Sequence, residues 1–294
     1  MLTFAEPTFT LQGNPFLVYL PVVDLQTGRL LGMEALVRWR HPTRGDIAPE
    51  LLIKAAETSN DLGPLTGWIL MAACAEAVMW SPSIQLGVNC SVAQVRSGHI
   101  ARAVAEALEQ TLLPSDRLNI EVTEDAVADP VASPDLHALS DLGVQLSVDD
   151  VGTNWSSFEP FRRNSISTVK IDGSFTSGLE AQQGINRLVV ETVTHMAHSL
   201  GMSAIIEKVE SAEQAEIAKV FHVDAAQGYF FSEPLPQGQA RILASLPEVP
   251  VFSRTEVRTL VLQDGTTVPL SEALAAAETG PIGVAVQVPE AADA

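Results

Sequence analysis

The sequence predicts an α/β fold: a (β/α)8 TIM-like barrel whose first strand runs antiparallel, with a small C-terminal extension. Three observations predict it. Short apolar, β-branched runs alternate with longer helical patterns between residues 17 and 229. The runs are near-continuous rather than alternating, as expected of parallel strands covered on both faces. Eight of them fall within about 230 residues, close to the ~250 typical of such barrels.

The first two runs, LVYLPVV (17–23) and LGMEALVRW (31–39), are joined only by DLQTGRL, which carries a Thr-Gly turn. That connection suits a hairpin and is too short for a parallel crossover, so the first strand is antiparallel. The remaining runs are IQLGVNC (84–90), LNIEV (118–122), VQLSVD (144–149), TVKI (168–171), SAIIE (203–207) and VDAAQGY (223–229). Helices are expected over Ile100 to Leu112, Leu136 to Leu142, Ile185 to Leu200 and Ala212 to Phe221, where apolar residues recur at helical spacing. The barrel is assigned to residues 1–245 and the extension to 246–294. Within the extension, VRTLVLQDGTTVPL reads as a hairpin with an Asp-Gly turn, LSEALAAAE as a short helix, PIGVAVQV as a strand and VPEAADA as a disordered tail.

The bulk properties exclude several classes. The 294 residues are 46% hydrophobic and 18% charged, with a net charge of −19. An acidic surface of this kind repels nucleic-acid polymers, and a small anionic ligand needs cations at its site. No run of 18 apolar residues predicts a membrane span. The opening MLTFAEPTFTLQG lacks the basic and apolar pattern of a signal peptide, so a cytoplasmic protein is expected. Cys74 and Cys90 are read as buried thiols, His195 and His198 as solvated or packed. Trp39, Trp68, Trp80 and Trp155 are read as packing residues rather than a stacking platform.

Polar residues interrupt the apolar runs in register. Glu34 lies in the second run, and Asn89, Glu121, Asp149, Lys170, Glu207 and Gln227 lie near the ends of the six that follow. In a barrel those ends form one rim, where chemistry is built. Asp150 follows Asp149 directly, and like charges so close raise each other's pKa or need a cation. A lone rim Glu is ordinarily a solvated charge, and an Asp-Asp before Gly-Thr can merely cap a helix. The joint pattern is what points to a site. Glu34, Asn89, Glu121, Asp149, Asp150 and Glu207 offer only oxygen donors, which suit Mg²⁺ or Mn²⁺ rather than zinc. So many acids imply two ions ~3.5–4 Å apart, an arrangement suited to phosphodiester hydrolysis. Lys170 and Arg38 supply the positive charge that a phosphate substrate requires.

With these residues placed, the chain resembles the EAL-domain family of cyclic di-GMP phosphodiesterases over roughly residues 16–240. The matching stretches are EALVRWRHP from Glu34, VNCS (88–91), IEVTE (120–124), VDDVGTNWSS (148–157), VKID (169–172), IIEKVE (205–210) and QGYFFSEPLP (227–236). The resemblance implies that Glu34, Asn89, Glu121 and Asp149 ligate the first metal, that Asp150 helps hold the second, and that Glu207 also lies there. It implies that Lys170 orients the attacking water, Arg38 contacts a phosphate, Glu124 anchors the loop after Asp150, and Glu210 and Gln227 complete the pocket. It further implies conversion of cyclic di-GMP to linear pGpG by a protein that commonly forms homodimers.

The chain departs from the family pattern around the nucleotide. Leu20 stands where the family has a Gln that contacts it. Val151, Asn154 and Trp155 replace Phe, Gly and Tyr in the loop, Gly173 replaces a basic residue, and Lys208 replaces a Gly. The helix that usually precedes the first strand is not expected from the residues ahead of it. Lys208 either pairs with Glu207 or Glu210, competing with a metal ion, or reaches a substrate phosphate. The alternative function is therefore a degenerate module that binds cyclic di-GMP or a protein and turns over little.

Overall fold

The structure, a computed structural model, describes residues 12–152, 160–161, 164–181 and 184–245, together with the backbone of 259–261 and 267–269. Its centre is a closed barrel. Strand β1 (Asn14–Asp24) pairs antiparallel with β2 (Leu30–His41), placing Leu20 opposite Glu34. The turn between them is held by Asp24, whose Oδ1 accepts from the backbone N–H of Gln26 at 2.8 Å and Thr27 at 2.6 Å. Gly28 follows at φ +71°, a conformation that costs glycine little. From β2 the sheet continues in parallel through β3 (Gln85–Cys90), β4 (Leu118–Thr123), β5 (Gln145–Val151), β6 (Thr168–Ile171), β7 (Ser203–Ile206) and β8 (Ala225–Ala226). Strand β8 then meets β1 antiparallel and closes the ring. The predicted antiparallel first strand is thus observed.

The strands read as apolar because both their faces are covered. Leu118, Ile120, Val122, Val148, Val169, Ile171, Ala204 and Ile206 have no exposed surface. The outer cover is helical: α1 (Pro49–Ser59), α2 (Leu62–Ala77), α3 (Ile100–Thr111), α4 (Ser133–Asp141), α5 (Ile185–Ser199), α6 (Ala212–Val220) and α7 (Gln237–Ala244). Of these, α1, α2 and α7 were not legible as periodic patterns. Helix α2 is apolar on most sides because it sits between the barrel and its helical neighbours α1 and α3. Its Glu76 is buried, yet it accepts from Arg241 Nε of α7 at 2.9 Å, Trp80 Nε1 at 3.3 Å and Gln237 Nε2 at 2.5 Å. Tyr19 packs edge-on against Trp80, with ring centroids 5.4 Å apart.

Trp39 is also buried, and Cys74 and Cys90 are free buried thiols. His195 and His198 lie on the exposed face of α5, where His198 Nε2 meets Asp224 Oδ2 at 2.8 Å. Trp155, like Asn154, lies outside the described residues. In the C-terminal extension Thr259–Val261 pairs antiparallel with Thr267–Pro269, as the Asp-Gly signal predicts. The expected helix, strand and tail beyond it lie outside the described residues. Among the described residues no helix is long and apolar enough to cross a membrane.

Candidate functional site

The rim residues converge because of three local features. The first is register: Asn89 lies beside Glu121, and Thr123 beside Asp149, so donors from neighbouring strands step up one end of the barrel. The second is an irregularity in β5. Its pairing with β6 shifts between Val148 and Val151, and Asp150 adopts φ +57°. In a regular strand, adjacent side chains point to opposite faces. A bulge re-aims them, and Asp is among the residues that tolerate a left-handed backbone. Asp149, Asp150 and Glu207 consequently place carboxylate oxygens within 4.8 Å of one another. The third is a cleared space. A Cβ on Gly87 would stand 2.1 Å from Glu121 Oε1, so only glycine lets that carboxylate cross β3. A glycine inside an apolar strand signals such an approach, and this signal was overlooked.

Lys170 occupies the middle of the acids with 1% of its surface exposed. Its Nζ lies 2.5 Å from Glu121 Oε2, 2.7 Å from Glu207 Oε1, 3.1 Å from Glu34 Oε2 and 3.7 Å from Asp149 Oδ1. Gln227 Nε2 donates to Glu34 Oε2 at 2.7 Å and to Glu207 Oε1 at 3.0 Å, while Asn89 Nδ2 donates to Glu34 Oε1. The electrostatics follow. Burial pushes the Glu34 carboxyl up, but Lys170 and the donors Asn89 and Gln227 outweigh it and hold the group below its usual range. Burial pushes Glu121 up to about 8, reinforced by Glu34 and Asp149 and only partly offset by Lys170. Glu207 is likewise pushed by burial up to about 7. For Lys170 burial favours the neutral amine, but Glu121, Glu207 and Glu34 hold it well above its ordinary value. Burial, then Asp149 and Asp172, raise Asp150.

The donor set suits a hard divalent cation. It is composed of oxygens, three carboxylates already converge, and the buried Gln227 Oε1 has no hydrogen-bond partner. The candidate ligands form overlapping groups. Asp149, Asp150 and Glu207 make one acidic cluster, and Lys170 joins it to Glu34 and Glu121 by pairing with Glu207 and Asp149 as well.

Above this floor opens a cavity of about 730 Å³, within the range of pockets that enclose a small-molecule ligand. Leu20, Arg38, Glu210 and Gln227 all line it, as does the exposed Tyr229, to which the sequence reading gave no role. Arg38 Nη1 donates to the Val37 carbonyl at 2.9 Å, and the Glu210 N–H donates to Gln214 Oε1 at 2.8 Å. Glu124 is buried at the start of the short helix after β4 and is not on the cavity wall. Lys208, also on the wall, pairs with Asp172 Oδ2 at 3.7 Å rather than with Glu207 or Glu210. Its stem lies across Gly173, so two of the departures from the family pattern are in contact.

Residues 8–234 match the model of the EAL domain. A search of curated proteins gives 37% identity over 239 residues to the uncharacterised protein y4lL of Sinorhizobium fredii, covering 80% of this chain and 29% of that one. It gives 35% identity over 224 residues to the cyclic di-GMP phosphodiesterase NbdA of Pseudomonas aeruginosa, covering 74% of this chain and 28% of that one. The chain thus spans less than a third of the length of these relatives. Among solved structures, the PaMucR phosphodiesterase in complex with c-di-GMP superimposes with a TM-score of 0.71 at 30% identity, covering 77% of this chain and 94% of that one.

Proposed function

Because the chain belongs to the EAL-domain family, we propose that its acidic rim holds two divalent ions, Mg²⁺ or Mn²⁺, and hydrolyses cyclic di-GMP to linear pGpG. One observation supports this reading above the rest. Four carboxylates surround a single buried ammonium at the floor of a cavity wide enough for a dinucleotide. When bound, the metals would supply an activated water and offset charge on the phosphoryl group.

The chain's own residues divide the remaining work. Glu34, Asn89, Glu121 and Asp149 would hold the first ion, and Asp150 with Glu207 would hold the second. Lys170 keeps the acids in place through its contacts with Glu34, Glu121 and Glu207. These take up its three donors, so it would orient the attacking water with the donor freed when one of these carboxylates turns to a bound metal. Arg38, on the cavity wall, meets a phosphate. Gln227 fixes Glu34 and Glu207 through two hydrogen bonds, Glu210 completes the wall, and Glu124 anchors the loop after Asp150. In the reaction the oxygen of water bonds to phosphorus, one P–O ester bond of the cyclic dinucleotide breaks, and the released ribose oxygen leaves as a hydroxyl, taking up a proton equivalent to the one the water loses. The protein is proposed to act as a cytoplasmic homodimer.

A second reading has its own support. The wall carries the apolar Leu20 opposite Glu34, where it offers the nucleotide no hydrogen bond, and this favours a receptor with little turnover. Incubation of the purified protein with cyclic di-GMP separates the two. The enzyme yields pGpG with Mg²⁺ or Mn²⁺ and none in excess chelator, with Ca²⁺ unable to substitute because it prefers a larger, looser shell. Full hydrolysis in chelator would sink the metal assignment. Tight binding without product would establish the receptor.

A further inference from the structure

Lys208 is held more firmly than a surface lysine needs to be. It follows Glu207 and adopts φ +52°, a left-handed backbone that a lysine takes only at some energetic cost. Its backbone is pinned from the far side. Val209 N–H donates to the Gln227 carbonyl at 3.1 Å, Phe230 N–H donates to the Val209 carbonyl at 2.9 Å, and a Cβ on Gly228 would lie 2.3 Å from Val209 N. From this fixed point the side chain crosses Gly173, where an added Cβ would stand 2.2 Å from Lys208 Cδ and 2.5 Å from Cγ. Gly173 begins a short helix with an ordinary backbone, so the lysine stem, and not the conformation, excludes a side chain there.

The charge that this arrangement delivers sits in a telling place. Among the described residues lining the cavity, the Lys and Arg side chains are Lys208 and Arg38. Lys208 adjoins Glu207 in sequence and acts electrostatically on Asp150, both members of the acidic cluster. Its pair with Asp172 is loose, at 3.7 Å, and the side chain is 68% exposed. Such a pair is worth little and is readily exchanged for a charge-assisted bond to an anion.

We infer that Lys208, carried over Gly173, is a specificity-determining contact that binds the substrate phosphate at the acidic cluster. This rests on the proposed action on cyclic di-GMP. Gly173 is a positioning residue that acts only by leaving room for the lysine.

The test is calorimetric titration of cyclic di-GMP into the intact protein with Ca²⁺ present, which leaves the ligand uncleaved, with melting temperatures as a check on folding. Lys208→Met is expected to raise Kd about tenfold or more, the effect of one hydrogen bond to a charged group. Lys208→Arg should stay within about threefold of the unsubstituted protein, since the guanidinium also binds phosphate. Gly173→Ala should weaken binding as Lys208→Met does, and the two combined should weaken it no further. Unchanged or tighter binding by Lys208→Met overturns the inference, since the lysine would then be idle or would merely compete with metal. So does an Arg variant as weak as the Met variant, or full additivity with Gly173→Ala. If the unsubstituted protein fails to bind cyclic di-GMP, the functional reading falls and this inference with it. If it binds and only the substitutions are silent, the functional reading stands alone.

Discussion

Two buried ionic clusters lie at different places in this barrel, and they are built on opposite principles. At Glu76 one carboxylate receives Arg241, Gln237 and Trp80 as donors. Its charge is matched and its hydrogen bonds are supplied. At the rim one ammonium, Lys170, faces Glu34, Glu121, Asp149 and Glu207. Three of those acids are buried, and burying charge without compensation is costly. The first cluster fastens α7 to α2. The second is left short of positive charge, and a structure with no use for a cation there would have little reason to keep it so. The difference teaches that a buried acid is not in itself a site. The imbalance between acids and donors around it is what marks one.

The largest expected effect separates the clusters by activity. Asp149→Ala should lower pGpG formation on the order of a thousandfold, comparable to losing a major electrostatic group in an active site. The metal-free protein should melt no lower, because Asp149 contributes to raising both Glu121 and Glu207. Turnover at the unsubstituted rate would show that the site is elsewhere. Arg241→Ala should do the reverse. It leaves Glu76 buried without its charged partner, at a cost of ~1–3 kcal/mol. The figure belongs toward the lower end because the Arg241 side chain is 47% exposed. A drop of several degrees in melting temperature with unchanged KM would confirm the structural role, and a changed KM would contradict it.

Proton uptake sharpens the contrast. Glu121 and Glu207 are pushed up to about 8 and about 7 in the folded protein, against ~4.3 for glutamate in an unfolded chain. Between these values the folded state binds more protons than the unfolded one, so stability falls as pH rises. Glu34 shifts the other way and matters only in acid, while Lys170 stays charged throughout. In excess chelator the melting temperature should therefore decline from pH 6 to pH 8.5. Added Mg²⁺ should restore more stability at the higher pH, since its ligands must be deprotonated. A melting curve that rises over this range in chelator would contradict the rim electrostatics.

Much of this was legible in the sequence because the barrel's logic is local. Each parallel strand is apolar along its length, so a polar residue near its end stands out, and Glu34, Asn89, Glu121, Lys170 and Gln227 could be read one strand at a time. The antiparallel β1 followed from a connection too short for anything else. What escaped depends on contacts distant in sequence or on a missing signal. Helix α2 is apolar on most sides and shows no stripe to read. The eighth run, expected over 223–229, is a strand only at Ala225–Ala226, because Gly228 turns the chain against Val209. That Lys170 would gather Glu34 and Glu121 to itself is a three-dimensional fact, since its partners lie 136 and 49 residues away. The departures at 173 and 208 look like two separate losses in the sequence, whereas in space one makes room for the other.

The smallest expected effect concerns Leu20, on the wall where the acidic rim gives way to the rest of the cavity. It lies on β1 directly opposite Glu34, close enough to the floor that a longer polar side chain there would face the bound nucleotide. Leucine contributes apolar surface but no donor or acceptor. A glutamine at this position would add one neutral hydrogen bond, worth ~0.5–1.5 kcal/mol net. Leu20→Gln should accordingly lower KM for cyclic di-GMP by up to about tenfold and leave kcat nearly unchanged, since the contact serves bound substrate and transition state alike. It should leave the chelated protein's pH-dependent melting unaltered, because Leu20 carries no charge to the acids around Lys170. If kcat rises in step with the fall in KM, Leu20 was misplacing the phosphodiester rather than merely failing to hold the base. If neither changes, the wall at β1 is indifferent to polarity, and the support that Leu20 lends to the receptor reading disappears.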